Sequence, residues 1–233
     1  MARQWLASGW DRLNQTAVSS LMLWRIALWV PLLVVLPEFI QHCAEIKIGF
    51  FADRQTAHAL SADPVRMVFG YIKVAGLFSA ILAAAAFWAR RNGGRLNWRT
   101  VGWALLWNAA ATAVMFAVGY LLPVGLRSLT DIALSIATLP LVVLLIGALF
   151  GDRDMTLAKA YRSGWLIAAR MVILAAAAWI PLSLLHGQNH LWAMGQPQWL
   201  VLTLMIFDSL VVGWMAVWAG TAFYQGYRRS AAA

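Results

Sequence analysis

Residues 129–150 read LTDIALSIATLPLVVLLIGALF, a run of 22 residues with a single charge, Asp131, near its start. As a helix rising 1.5 Å per residue it covers about 33 Å, the thickness of a bilayer's hydrocarbon core. Lipid offers no partner to an open backbone N–H or C=O, and the period-two alternation of a membrane β-strand is absent, so the run is read as a helix. Five more runs match it, at about 21–40, 67–89, 100–123, 164–186 and 199–223. The expectation is an all-α polytopic fold: a six-span membrane domain over 21–223, an interfacial helix over 1–20, a tail over 224–233, and short interfacial helices between spans.

Composition agrees. Hydrophobic residues make up 62% of the chain and charged residues 12%, against about 25% charged in a soluble domain. A water-soluble core has no room for that surplus, which must face lipid. The net charge of +9 raises nucleic acid as a partner, but no nucleic-acid module accompanies it. The basic residues instead mark orientation. Arg3, Arg12, Arg90, Arg91, Arg95, Arg99, Arg153, Lys159, Arg162, Arg228 and Arg229 fall on one side, eleven against Lys47, Arg54, Arg66 and Arg127 on the other. This positive-inside bias predicts a multi-pass protein of the bacterial inner membrane with both termini in the cytoplasm. Anionic headgroups are the expected lipid partners there, contacted by Arg25, Arg90, Arg91 and Arg170, the first and last by snorkelling from spans one and five.

Trp5, Leu6, Trp10 and Leu13 can share one side of the first helix, with Arg3, Asp11, Arg12 and Gln15 elsewhere, the pattern of a helix lying in the interface. The long polar lead and the lack of an A-x-A site argue against a cleaved signal peptide. In the outer connection 41–66, Ile46 and Phe50 suggest a short helix from Cys43 to Phe51, with Pro64 starting span two. The inner connection 151–163 suggests another, begun by Asp152 and Asp154. Pro31 and Pro181 share the pattern W-x-P-L-x-x-L and are expected to kink spans one and five. The single cysteine, Cys43, excludes an intrachain disulfide.

A charge at the bilayer centre costs about 2.5–3.5 kcal/mol on the insertion scale. Lys73, Asn108, Asp131 and Asp208 are therefore the intramembrane polar candidates. A Lys73–Asp208 pair would lower the cost of burying both and lock span two against span six, either as an ion relay or headgroup site or as a purely structural link. Glu38, His42, His186 and His190 share the outer face by depth and are metal-ligand types. However, His186-Gly-Gln-Asn-His190 reads as a glycine-containing loop, and no H-E-x-x-H occurs. No metal or other cofactor is expected. A P-loop and a G-x-S-x-G elbow are also missing.

Pro140-Leu-Val-Val-Leu-Leu-Ile146, followed by Met155-Thr-Leu-Ala-Lys-Ala-Tyr-Arg-Ser-Gly-Trp165, resembles the six-helix membrane domain attached to some bacterial glycerophosphodiester phosphodiesterases and related inner-membrane proteins. The resemblance spans about thirty residues plus the topology. It implies a helical membrane domain without the phosphodiesterase barrel, so that activity does not carry over. The leading expectation is a non-enzymatic subunit or accessory factor of a membrane assembly, with protein partners or self-association through the small-residue runs Ala83–Ala86 and Ala175–Ala178. The alternatives are a small transporter or lipid-handling protein built on Lys73, Asn108 and Asp208, and a lipid-modifying membrane enzyme using Glu38, His42 and His186.

Overall fold

The computed structural model describes the backbone of residues 2–228 and the side chains of residues 9–228, apart from 124 and 125. Within it run α1 (Ala2–Ile26), α2 (Trp29–Lys47), α3 (Arg54–Ala59), α4 (Pro64–Arg91), α5 (Trp98–Leu121), α6 (Val124–Phe150), α7 (Leu157–Ser163), α8 (Trp165–Ala193) and α9 (Gln198–Tyr227). Six of these, α2, α4, α5, α6, α8 and α9, are long and apolar enough to cross a membrane. The chain is an all-α, multi-pass membrane protein with shorter helices between and before the spans.

The first span lies later than the expected 21–40. α1 continues to Ile26, and the break falls at Ala27 and Leu28, where the Ala27 carbonyl accepts from Val30 N (2.9 Å). Pro31 sits in the first turn of α2. It has no N–H to return to the preceding helix, so it starts a helix instead of kinking one. α1 buries Thr16, Ser20 and Leu23, a stripe at helical spacing, and leaves Trp10 exposed. Its two buried hydroxyls are satisfied locally, Thr16 Oγ1 on the Arg12 carbonyl (2.7 Å) and Ser20 Oγ on the Ala17 carbonyl (2.9 Å). The expected contributions of Arg3, Trp5, Leu6 and Arg229 lie outside the described side chains.

The short outer helix also moves. Residues 43–47 complete α2, Gly49 turns the chain at φ +79°, and the helix forms at 54–59. Asp53 explains the position: its carboxylate accepts from Thr56 N (2.8 Å) and Thr56 Oγ1 (2.9 Å), an N-cap. Those donors, the backbone N–H first, hold the Asp53 carboxyl below its ordinary range. The cap is thus present above the usual carboxylate range and is lost as pH falls through the lowered value. Asp53→Ala is expected to raise amide hydrogen exchange at Thr56 on the order of fivefold near neutral pH. The two proteins should converge in acid, and equal exchange near pH 7 would remove the cap from the account.

The chain divides into two units. One comprises Met1–Ala84 and Leu174–Ala222; the other comprises Ala85–Ile173 together with the end of α9 from Phe223. In the first, Trp218 and Ala222 of α9 cluster with Leu174 of α8, Ala175 and Ala178 of α8 and Leu13 and Ala17 of α1 pack against that cluster, and the Trp218 indole N–H donates to the Leu174 carbonyl (2.8 Å). In the second, α5 and α6 are tied by Asn108, whose Nδ2 donates to the carbonyls of Ala104 (2.8 Å) and Leu141 (3.1 Å). Phe150 stacks on Tyr224 at 5.3 Å, and Tyr227 OH donates to Asp152 Oδ2 (2.7 Å). Asp152 therefore does not start α7. Thr156 caps it, accepting from Lys159 N (3.2 Å).

Candidate metal centre

Two polar stripes that lower the hydropathy of their helices build one cluster in the first unit. On α2, Glu38, Gln41, His42 and Glu45 recur at i, i+3, i+4 and i+7, so they share a face. All four are buried. On α8, His186, Asn189 and His190 repeat the i, i+3, i+4 spacing. This corrects the loop expected at 186–190: α8 runs through Gly187 to Ala193. α4 adds Arg66 and Lys73, and α9 adds Asp208, which is fully buried.

His42 is the hub. Its Nδ1 donates to Glu45 Oε2 (3.0 Å). Glu45 Oε1 in turn accepts from Arg66 Nε (2.8 Å) and Gln41 Nε2 (3.1 Å). His42 Nε2 lies 3.1 Å from Asp208 Oδ2 and 3.2 Å from Glu38 Oε1. Asp208 also accepts from His186 Nδ1 (2.7 Å) and, on its other oxygen, from Asn189 Nδ2 (2.8 Å). His190 Nε2 lies 3.6 Å from Asp208 Oδ2 without a hydrogen bond. Lys73 Nζ sits 3.3 Å from Glu38 Oε1. Lys73 is thus paired with Glu38 and not with Asp208, which the sequence had offered as its partner.

His42 Nε2, Glu38 Oε1 and Asp208 Oδ2 therefore converge on one space. Two buried carboxylate oxygens facing one ring nitrogen are balanced either by a proton on that nitrogen or by a metal ion. The spacing suits a metal. Zinc bonds of about 2.0–2.1 Å place tetrahedral ligand atoms about 3.3 Å apart, close to the 3.1, 3.2 and 3.6 Å separations here. The donor atoms of His42, His190 and Asp208 all lie within 4.8 Å of one another, as do those of Glu38, His186 and Asp208. The surroundings also suit a metal: His42 is oriented by Glu45 through its other nitrogen, and Asp208 by Asn189. Glu38 Oε2, Gln41 Oε1 and Asn189 Oδ1 are buried without a partner.

The remaining candidates stand apart from this cluster. Asn108 joins α5 to α6. Asp131, Arg25, Arg90 and Arg91 are exposed, and Arg170 is half-buried with its Nε unpartnered. Of the cluster itself, sequence reasoning singled out Glu38, His42, Lys73, His186, His190 and Asp208 but passed over Gln41, Glu45, Arg66 and Asn189. Comparison of the chain with protein-family models, with curated proteins and with solved structures gives no significant match.

Proposed function

We propose that the protein is a zinc-dependent membrane enzyme that modifies lipid, with His42, His190 and Asp208 as the metal ligands and Glu38 beside the fourth, open position. The carrying observation is the convergence of His42 Nε2, Glu38 Oε1 and Asp208 Oδ2 on one buried space, with Glu45 behind His42. Charge supports the same reading. Glu38, Glu45 and Asp208 carry three negative charges against two on Arg66 and Lys73, a net of −1. A divalent ion brings the cluster to +1, a balance that favours binding one anionic oxygen. Bound there, zinc supplies Lewis acidity and a water acidified toward neutrality. The protein's own groups fix the geometry: Glu45 sets the His42 tautomer, Asn189 holds Asp208, and Lys73 contacts the same Glu38 oxygen that faces His42. His186, Arg66 and Lys73 are only partly buried and form the approachable side. The charge asymmetry of the loops supports a bacterial inner membrane, with both termini cytoplasmic and the cluster toward the outer surface.

A second reading rests on the same tally. One extra proton, held by His42, also brings the net of −1 to zero. The cluster is then a fixed cross-link of α2, α4, α8 and α9, suited to a non-enzymatic subunit of a larger assembly. Metal content separates the two. The full chain, purified in mild detergent without chelator, is expected to hold about one zinc per chain by mass spectrometry of the metal. Asp208→Asn and His190→Ala should retain the fold and lose most of that zinc. Zinc-loaded protein in vesicles of phosphatidylethanolamine and phosphatidylglycerol should release lipid fragments that the variants do not. A folded wild-type chain that neither carries zinc nor takes it up on titration would leave only the cross-link.

A further inference from the structure

Arg95, Asn97, Trp98, Arg99, Gly151 and Arg153 line a cavity of about 550 Å³ in the second unit. We infer that this cavity binds a phosphate-type anion, and that its physiological source is the headgroup of an anionic lipid. The inference is independent of the metal centre.

Three arginines line the cavity and no acidic residue does. None of the three has a hydrogen-bond or acidic partner among the described residues, and all three arginines are exposed. Asp152 and Asp154, which flank Arg153, do not line the cavity, and Asp152 accepts from Tyr227 OH and from Asp154 N. The planar fork of arginine fits phosphate oxygens in pairs, which a solvated lysine does not.

The walls are built, not incidental. Gly151 takes φ +72°, and a Cβ there would run into the Arg95 carbonyl oxygen. The loop after α6 therefore closes on the loop before α5 through backbone, and only glycine allows it. The N-terminus of α5 opens at the same place, with Asn97 Oδ1 accepting from Arg99 N (3.2 Å) and Thr100 N (3.4 Å). The positive end of a 24-residue helix thus adds to the three guanidinium groups.

Two features favour a headgroup over a free ion. The cavity sits where spans α5 and α6 meet their adjoining loops. Trp98, on its rim, is 74% exposed and Trp103, one turn further on, is 58% exposed. Tryptophan at the end of a span marks the headgroup level.

The test titrates the full-length protein in neutral detergent with dioctanoyl phosphatidylglycerol, dioctanoyl phosphatidylcholine and inorganic phosphate, counting retained ligand by native mass spectrometry. Phosphatidylglycerol should bind and phosphatidylcholine should not. The triple variant Arg95→Gln, Arg99→Gln, Arg153→Gln should bind phosphatidylglycerol on the order of 100-fold more weakly, about fivefold per arginine. If the triple variant does not fold, the single variant Arg153→Gln should still show the fivefold loss. Competition by millimolar inorganic phosphate would keep the anion site and overturn the lipid source. Equal binding of phosphatidylglycerol by the wild type and a folded variant, or equal binding of both lipids, would overturn the site.

Discussion

His42→Leu is expected to lower the melting temperature of the detergent-solubilised protein by roughly 6–20 °C and to abolish metal uptake. The ring of His42 lies between Glu38, Glu45 and Asp208 at 3.2, 3.0 and 3.1 Å. All three carboxylates are buried. Leucine fills the volume but leaves each of them short of one partner. Breaking a buried ionic contact costs about 3–5 kcal/mol, because the stranded charge keeps its desolvation penalty. For a chain of this size each kcal/mol moves the midpoint by about 2–4 °C. The outer partners limit the damage: Lys73 still faces Glu38, Arg66 and Gln41 still hold Glu45, and His186 and Asn189 still hold Asp208. A thermal melt by near-ultraviolet circular dichroism, with and without added zinc, is the measurement. A variant that melts within 2 °C of the wild type would mean that the three carboxylates do not depend on His42.

Comparison with Asp208→Asn sharpens the point. Asparagine can still accept from Asn189 and keeps the side chain's shape, so that variant should lose metal with a smaller loss of stability. Two variants of one cluster that both lose metal while differing in stability are hard to reconcile with an inert cross-link.

The spans were legible in the sequence because their signal is length and hydropathy, and lipid imposes both. Pro64 at the start of α4 was legible for the same local reason. The centre was only half legible. Glu38, His42, His186 and His190 could be grouped by depth, but hydropathy ended the first span at 40 and the fifth at 186. Glu45 was consequently assigned to a separate short outer helix and Asn189 to a loop, although both spans continue, to Lys47 and Ala193. A buried polar face lowers hydropathy just as a loop does. What separates them is periodicity: Glu38, Gln41, His42 and Glu45 make a helical stripe, and His186, Asn189 and His190 repeat it. Gly187 obscured the second stripe, yet it sits on an exposed part of α8 where nothing approaches within 4 Å of a would-be Cβ. The pairing of Lys73 was not legible at all, since depth alone cannot choose between Glu38 and Asp208.

Gly220→Val should be the most damaging single change in the membrane-spanning core of the first unit. Here α9 meets α4 backbone to backbone. A Cβ on Gly220 would run into the Ile81 carbonyl oxygen and stand 2.7 Å from Ala84 Cβ. Ala80 and Ala84 are fully buried on the facing helix, so the contact is small residue against small residue. This gives Ala84, part of the alanine run that had suggested a partner helix, an internal role. Overpacking a tight core costs about 1–3 kcal/mol where side chains can yield. Here the obstacle is helical backbone, and relief requires α4 and α9 to separate. That separation would strain the cluster, because Lys73 reaches Glu38 from α4 and Asp208 reaches the histidines from α9. The expected result is loss of the monodisperse peak in size-exclusion chromatography, together with loss of zinc, without any change to a ligand. Gly102→Ala is the control: nothing lies within 4 Å of its would-be Cβ, and alanine suits a helix better than glycine. That variant should elute and bind metal like the wild type. Monodisperse, zinc-loaded Gly220→Val protein would mean that α4 and α9 pack less closely there than this geometry requires.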